Sequence, residues 1–208
     1  MTTELISVAD LYCERDERVL FSQLNFTLSA GEVAQVEGPN GSGKTTLLRI
    51  IAGLNQDFDG EIAWCAEPID AVRSDFNRNL LYFGHQPGVK AALTPYENLS
   101  WYAAMQPGIR KEDITSALSK VGLSGFEDVP CSNLSAGQHR RVSLARLYLS
   151  DAIVWILDEP FTAIDKVGVA EKEALIAEHA ARGGAVLLTT HHELNLPCTV
   201  KTVRLGNA

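Results

Sequence analysis

Residues 38–46 read Gly38-Pro39-Asn40-Gly41-Ser42-Gly43-Lys44-Thr45-Thr46 and match the phosphate-loop pattern G-x-x-x-x-G-K-[ST]. A short apolar run at 33–36 precedes this stretch, and a helix-forming run at 45–52 follows it. Glycines let the loop turn tightly, so that backbone N–H groups and the positive end of the next helix dipole face one point. The stretch therefore predicts a site for the phosphates of a nucleotide. The alternative is a glycine-rich connector without chemistry, which the Lys-Thr pair and both flanking elements disfavour.

Two side chains of this loop predict how a triphosphate and its metal are held. Lys44 is expected to lie against the β and γ phosphates, where its ammonium group offsets their charge. The Thr45 hydroxyl is expected to ligate a Mg²⁺ ion that bridges the same two phosphates.

The bulk composition narrows the class of protein. The chain has 208 residues, of which 46% are hydrophobic, which is enough for a core of its own. Its formal net charge of -8 argues against nucleic acid as the main partner, because nucleic acid usually requires a basic face. The cysteines are too widely spaced for a zinc site or a disulfide framework, which predicts free thiols in a reducing compartment: Cys13, Cys65, Cys131 and Cys198.

Neither a secretion signal nor a membrane span is predicted. The first ten residues lack a basic segment and an apolar segment, and no apolar run approaches the roughly 20 residues that a span requires. If the protein acts at a membrane, another chain is therefore expected to hold it there.

The order of apolar patterns predicts an α/β fold. Alternation at 5–13 and 19–28 indicates an antiparallel pair of strands, and the remaining strands are predicted at 33–36, 61–64, 80–83, 152–157, 185–190 and 199–205. Helices are predicted at 45–52, 69–78, 94–105, 111–121, 138–149 and 166–182. We predict a P-loop NTPase core, with a mostly parallel sheet and flanking helices, after an N-terminal antiparallel β part. Residues 1–208 are expected to form a single domain, with a helical lobe inserted at about 90–150.

An acidic pair follows the most apolar of the predicted strands. Asp158 is expected to hold the Mg²⁺, usually through a water of its shell, and Glu159 to polarise a water for attack on the γ-phosphate. The alternative is a pair of acids that only caps the next turn.

A second helix start carries small residues. Leu134-Ser135-Ala136-Gly137-Gln138 places Ser135, a good N-cap, before a helix with an apolar stripe. Read alone, the segment is only a capped helix start. Beside a phosphate loop, it predicts a second anion cradle, although one cradle already accommodates one triphosphate.

These elements, in this order, resemble the nucleotide-binding subunits of ABC transporters. The resemblance covers nearly the whole chain and identifies a Walker A loop at 38–46, a Q-loop at Gln86, a signature at 134–138, a Walker B strand at 153–158, a D-loop at 161–165 and an H-loop at His191. It implies ATP as substrate with Mg²⁺ held by Thr45, Gln86 and Asp158. It also implies catalytic roles for Glu159, His191 and Gln86.

The resemblance further implies a homodimer with two composite sites. In this family the signature of one subunit, here Ser135, Ala136, Gly137 and Gln138, closes over ATP held by the Walker A loop of its mate. Asp165 belongs to the D-loop, which reads Thr162-Ala163-Ile164-Asp165 instead of the commoner Ser-Ala-Leu-Asp. Ala136 stands where glycine is more frequent. We expect both departures to leave the cradle usable.

Adenine recognition is the largest departure from the family pattern. Where many relatives place an aromatic residue that stacks on adenine, this chain has Arg15. A guanidinium can stack on a purine, so Arg15 is predicted to replace the aromatic.

The segments 84–99 and 134–147 narrow the resemblance to the CcmA family of cytochrome c biogenesis ATPases. That resemblance implies a peripheral ATPase at the cytoplasmic face of the bacterial inner membrane, docked on CcmB and working with CcmC and CcmD. The activity it implies is haem export or release of the haem-loaded chaperone CcmE. No segment resembles a haem ligand site, so no haem is expected on this chain.

Three alternatives remain open. The chain could serve another ABC exporter, of lipid or small molecules, which co-purification with a membrane partner would distinguish. A translation or repair ATPase would carry two cassettes or a coiled-coil insertion. A nucleotide-sensing module without turnover would not need Glu159 and His191.

Overall fold

The structure is a computed structural model that describes residues 3–106, 108–162 and 164–206. The chain divides into two compact units, which we call the sheet unit and the helical unit. The sheet unit comprises Met1–Tyr82, Ala152–Thr162 and Val169–Ala208, and the helical unit comprises Phe83–Asp151 and Ala163–Gly168. The expected single domain, with a lobe at about 90–150, stays a prediction.

An antiparallel sheet opens the sheet unit. Strands β1 (Glu4–Arg15) and β2 (Arg18–Ser29) pair through the turn Asp16-Glu17. Both turn residues have positive φ, 52° and 61°, as a tight hairpin turn with the twist of its strands requires. Strands β4 (Asp59–Trp64) and β5 (Glu67–Pro68) complete the order β2-β1-β4-β5.

A five-stranded sheet forms the centre of the same unit. Its order is β6-β7-β8-β3-β9, with β3 (Val33–Glu37), β6 (Leu80–Phe83), β7 (Val154–Asp158), β8 (Ala185–Thr189) and β9 (Val200–Arg204). Strand β3 runs parallel to β8 and β9, and β7 runs parallel to β8. Every residue of β7 and β8 is buried, as expected for parallel strands covered on both faces.

Three helices accompany this sheet in the chain: α1 (Lys44–Ile51), α2 (Arg73–Arg78) and α6 (Lys166–Ala181). An apolar core joins α1 to both sheets and includes Ile6, Leu11, Leu28, Leu47, Leu48, Ile51, Ile156 and Leu187. Because β3, β7 and β8 are parallel, their carboxyl ends lie at one edge, where the phosphate loop follows β3 and Asp158 ends β7.

The helical unit contains α3 (Pro95–Ala103), α4 (Lys111–Lys120) and α5 (Ala136–Leu144). Two 3₁₀ turns, Cys131–Asn133 and Ala145–Tyr148, flank α5. Thr94 and Glu97 form the predicted capping box at the start of α3. The buried residues of this unit come from all three helices and from the 3₁₀ turn after α5, and include Leu99, Ile114, Leu118, Val142 and Leu147.

The predicted α/β fold is confirmed, and two predicted helices differ from the structure. The helix expected at 138–149 begins at Ala136, because Ser135 is its N-cap, and tightens to a 3₁₀ turn after Leu144. The helix expected at 69–78 is restricted to α2, because the Ile69 N–H donates to the Ile62 oxygen at 2.9 Å and extends the antiparallel pairing.

Within the described ranges, none of the helices has both the length and the apolar character needed to cross a membrane.

Candidate functional site

Close packing explains the glycines of the phosphate loop in the sheet unit. A Cβ atom added at Gly38 would lie 2.6 Å from the Ser42 Oγ and 2.7 Å from the backbone oxygen of Leu205. Gly43, the N-cap of α1, has φ 93°, which favours glycine. A side chain at Gly43 would also meet the ring of Phe21 at 3.2 Å. The loop is therefore fixed by packing against β2 and the segment after β9.

The Lys44 side chain lies across this loop. Its Nζ donates to the backbone oxygens of Gly38 at 2.7 Å and of Pro39 at 3.1 Å. In the described part of the chain, no side chain caps α1 at Gly43. The first N–H groups of α1 thus point from a helix start toward the loop, which is the arrangement that binds an anion.

A buried hydroxyl joins the ends of β7 and β8. Asp158 and Thr189 are paired in register, and they are 1% and 0% exposed. The Thr189 Oγ1 donates to Asp158 Oδ1 at 2.8 Å and accepts from the Glu159 N–H at 3.0 Å. The same N–H lies 3.1 Å from the Thr189 backbone oxygen. Thr189 therefore contacts both members of the predicted acidic pair.

The side chain of Glu159 lies beside that of His191. Glu159 has φ 52°, an uncommon backbone conformation for a residue with a side chain. Its Oε1 lies 3.6 Å from His191 Nε2, and the two side chains are 16% and 69% exposed. A carboxylate next to an imidazole at the ends of adjacent strands has the functional groups of acid–base chemistry.

Tyr82 reports the charge of this region. Burial first, and then the negative charge of Asp158, raise the pKa of Tyr82 above its ordinary value, while Arg49 opposes the shift. The phenol therefore stays neutral at neutral pH.

His192, next to His191, makes contacts of a different kind. Its Nε2 lies 3.3 Å from Oε1 of the buried Glu173, which also accepts from the Asn195 N–H at 2.7 Å. The His192 ring lies 5.4 Å from that of Phe161. These contacts anchor the segment that follows β8 and leave His191 as the more exposed of the two imidazoles.

The hairpin turn between β1 and β2 carries two arginines. The Arg15 side chain is 74% exposed, and its Nε lies 3.6 Å from Asp16 Oδ2. The Arg18 guanidinium lies closer to the phosphate loop, 4.0 Å from the position that a Cβ atom on Gly41 would take. The stacking of Arg15 on adenine stays a prediction.

In the helical unit, the segment 134–138 forms the predicted helix start. Ser135 Oγ accepts from the Gln138 N–H at 3.3 Å, and Gln138 Oε1 accepts from the Ser135 N–H at 2.9 Å, which completes a capping box. Ser135 and Ala136 are exposed, and a Cβ atom added at Gly137 would meet no atom of the described residues within 4 Å. The surface of this helix start is therefore open to another molecule.

The chain around Gln86 is tied to the same helix. Gln86 is exposed, whereas Arg140 of α5 is buried. The Arg140 Nη1 donates to the His85 backbone oxygen at 3.0 Å, and its guanidinium carbon lies 5.0 Å from the Phe83 ring centroid. Arg140 thus connects the segment before Gln86 to the helix that begins at Ala136.

Asp165 occupies the start of α6. Its Oδ1 accepts from the Gly168 N–H at 2.8 Å, as a helix-capping aspartate does. Ala163, in the middle of the predicted D-loop, lies outside the described residues.

Comparison with known proteins decides the family. A model of the ABC transporter family matches residues 21–162. The chain belongs to the ABC transporter family. The prediction that it is the ATPase component of such a transporter is confirmed, and with it the binding of ATP.

Two curated relatives of this ABC transporter protein carry one name, cytochrome c biogenesis ATP-binding export protein CcmA. The protein from Pseudomonas fluorescens (strain Pf0-1) is 52% identical over 208 residues, which are 100% of this chain and 99% of the relative. The protein from Aliivibrio fischeri (strain ATCC 700601 / ES114) is 53% identical over 203 residues, 97% of this chain and 100% of the relative. The predicted resemblance to the CcmA family is confirmed.

A solved ABC structure has the same fold. It is an ATP-binding cassette in a dimeric, post-hydrolysis state bound to ADP and Pi, with a TM-score of 0.79 and 22% identity. The match covers 90% of this chain and 88% of that chain.

The structure places the predicted residues of this ABC transporter protein in two groups. The sheet unit holds the phosphate loop, Asp158, Glu159, His191 and Arg15, and it brings Glu159 and His191 together. The helical unit holds Gln86, Asp165 and the segment 135–138. Sequence reasoning missed Thr189 and Arg140, because an apolar strand end and a polar helix give no signal of their contacts.

Proposed function

We propose that this chain is the ATP-hydrolysing subunit of an ABC transporter complex in cytochrome c biogenesis, and that it powers haem export or release of the haem-loaded chaperone CcmE. The observation that carries the proposal is identity of about half the residues over the full length of relatives with that name.

Residues 38–46 are proposed to hold the phosphates of ATP. Lys44 already spans the loop on two backbone oxygens, 2.7 and 3.1 Å from its Nζ, and exchanges them for phosphate oxygens of higher charge. Backbone N–H groups at the start of α1 supply the remaining donors. Arg15 is proposed to stack on adenine from the hairpin turn.

The donor set fits Mg²⁺. The proposed ligands are the Thr45 hydroxyl, the Gln86 side chain and the Asp158 carboxylate, all of which offer oxygen, the ligand that this ion prefers. No group of three or more His, Cys, Asp or Glu residues suited to a metal occurs in the described ranges, and Mg²⁺ with ATP does not need one, since water and phosphate complete its shell. When bound, Mg²⁺ would offset negative charge that builds up on the phosphates.

Glu159 is proposed as the residue that activates water. Its carboxylate accepts the proton of the water that attacks the γ-phosphate, while His191, 3.6 Å away, contacts the γ-phosphate and steadies Glu159. Gln86 is proposed to orient the same water. The phosphate loop holds the leaving ADP.

The signature is proposed to act on a second copy of the chain. Ser135 and Ala136 are exposed and Gly137 has open space above it, which supports contact with ATP held by the partner protomer. Gln138 stabilises the start of α5 through the capping box. Asp165 is proposed to act at the same interface between protomers. ATP would close the homodimer, and hydrolysis would reopen it.

The proposed location is the cytoplasmic face of the bacterial inner membrane, as a peripheral subunit docked on CcmB with CcmC and CcmD. The helical unit supports docking, because Trp101 and Met105 are 58% and 61% exposed although both are large and apolar. The Lys90 ammonium lies 4.5 Å above the Trp101 ring. No haem is proposed to bind this chain.

Co-purification and hydrolysis test the proposal together. The tagged chain should recover CcmB from detergent extract, and Trp101→Glu should reduce that recovery while ATP hydrolysis by the free chain persists. Recovery of a different membrane protein would redirect the assignment to another exporter.

Loss of the carboxylate tests the proposed base. Glu159→Gln should bind ATP and lose at least about 100-fold in kcat, since general base catalysis contributes roughly that much. A Glu159→Gln protein that hydrolyses ATP at the parent rate would exclude Glu159 as the base.

A further inference from the structure

Thr189 is the residue that holds the acidic pair from the neighbouring strand. It ends β8, is 0% exposed and lies opposite Asp158 in the parallel register. Its hydroxyl donates to Asp158 Oδ1 at 2.8 Å and accepts from the Glu159 N–H at 3.0 Å.

The hydroxyl is matched to this position by its hydrogen-bonding capacity. A threonine Oγ1 carries one donor and two acceptor lone pairs. The donor is used on the Asp158 carboxylate, which only accepts when ionised, and an acceptor is used on a backbone N–H. Valine has the same shape but neither function, and serine keeps both.

The direction of the Glu159 side chain depends on the hydrogen bonds between its backbone N–H and Thr189. Its φ of 52° is one that residues with a side chain seldom adopt, so surrounding contacts must hold it. The Thr189 hydroxyl and backbone oxygen both accept a hydrogen bond from the Glu159 N–H, at 3.0 and 3.1 Å. This backbone conformation directs the Glu159 side chain toward His191.

We propose that Thr189 is a positioning residue for ATP hydrolysis: its hydroxyl fixes the Asp158 carboxylate and the Glu159 backbone in one geometry. The inference rests on the proposed roles of Asp158 and Glu159. Thr189 itself touches neither nucleotide nor water in this scheme, and it acts through the two acids.

Thr189→Val and Thr189→Ser separate the hydroxyl from the shape of the side chain. Thr189→Val should lower kcat about 10–100-fold, the usual effect of removing an outer partner of a metal-site carboxylate. It should also raise the Mg²⁺ concentration needed for half-maximal rate, while the Kd for ATP without metal stays within about twofold. Thr189→Ser should restore most of the rate. A general loss of packing would not be rescued by serine, which is the smaller residue.

One control variant is measured in parallel. Thr202→Val makes the same chemical change at an exposed site on β9, beyond β3 in the sheet, and should hydrolyse ATP at the parent rate. All rates are taken well below the lowest unfolding temperature. If Thr189→Val does not fold, Thr189→Ser and Thr189→Ala decide: serine should exceed alanine by about tenfold in kcat.

The outcomes distinguish this inference from the proposed function. A parent rate for Thr189→Val, or equal losses for serine and valine, overturns the positioning role. If Glu159→Gln keeps the parent rate, the proposed base fails first and the role of Thr189 through it fails as well. An inactive Glu159→Gln with an active Thr189→Val overturns only the inference about Thr189.

Discussion

Gly137→Ala should leave the fold intact and abolish most of the ATP hydrolysis. Gly137 lies in the first turn of α5, its φ is not positive, and an added Cβ would meet no described atom within 4 Å. None of the described residues of the helical unit therefore requires glycine there. If a partner's nucleotide approaches this surface, the methyl group occupies the space that the nucleotide needs.

Gly137→Ala should raise stability and lower the rate of hydrolysis, and the size of each effect can be estimated. Alanine is favoured over glycine in helices by up to about 1 kcal/mol, and 1 kcal/mol shifts Tm by about 2–4 °C for a chain of this size. The variant should thus melt at the parent temperature or a few degrees above it. A displacement of about 1 Å at a reacting site costs roughly 100-fold in rate, so kcat should fall by about that factor.

We would measure thermal unfolding and ATP hydrolysis of the Gly137→Ala protein and of its parent. ATP-dependent dimerisation is measured in the Glu159→Gln protein, with and without Gly137→Ala. Ser116→Ala is the control, because it improves helix propensity at an exposed site of α4 and should leave hydrolysis unchanged. Hydrolysis at the parent rate by a stable Gly137→Ala protein would refute the composite site.

Three further predictions follow from side-chain contacts. Arg15→Ala should weaken ATP binding at equilibrium, and unchanged affinity would remove the proposed stacking. Arg140→Met keeps the buried stem but loses the hydrogen bond to the His85 oxygen and the charge over the Phe83 ring, so the free energy of unfolding in urea should fall by about 1–3 kcal/mol. No loss would mean that the guanidinium contacts add nothing to stability. Burial lowers the pKa of His179, stacked on Trp155, below its ordinary 6.5. The unfolded chain then binds more protons than the folded chain at acid pH. As the pH drops below about 6.5, the free energy of unfolding should therefore decrease, by at most about 1.4 kcal/mol per pH unit. His179→Phe should make the midpoint of urea unfolding depend less on pH in this range. An unaltered pH dependence would contradict the assignment to His179.

Local signals in the sequence predicted the fold well. The phosphate loop, Thr94 and Ser135 each carry their own pattern, and the structure contains the strand, the capping box at Thr94, the N-cap at Ser135 and the helices that these patterns predict. The helix start predicted at 138 was two residues late, because the local cap at Ser135 begins the helix at Ala136. The error at 69–78 occurred where a distant contact decides the local structure. Ile69 pairs with Ile62 of the antiparallel sheet, so a polar run that suggested a helix begins as an extended segment.

The candidate site shows the same division. Asp158 and Glu159 are adjacent in the chain and follow an apolar strand, so their position was readable. The contact of Thr189 spans about thirty residues of sequence and depends on which strands are neighbours. The approach of the Arg18 guanidinium to Gly41 likewise depends on how the hairpin folds over the loop.

The parallel pairing of β7 with β8 sets which side chains lie side by side at the ends of the two strands. Five matched positions, from Val154 with Ala185 to Asp158 with Thr189, fix how far each strand extends at its end. A slip by one position toward the start of β8 would set Leu188 against Asp158, replacing a hydroxyl by a hydrocarbon. The five matched positions must therefore be kept in any engineered version of this chain that is meant to retain the contact between Thr189 and Asp158.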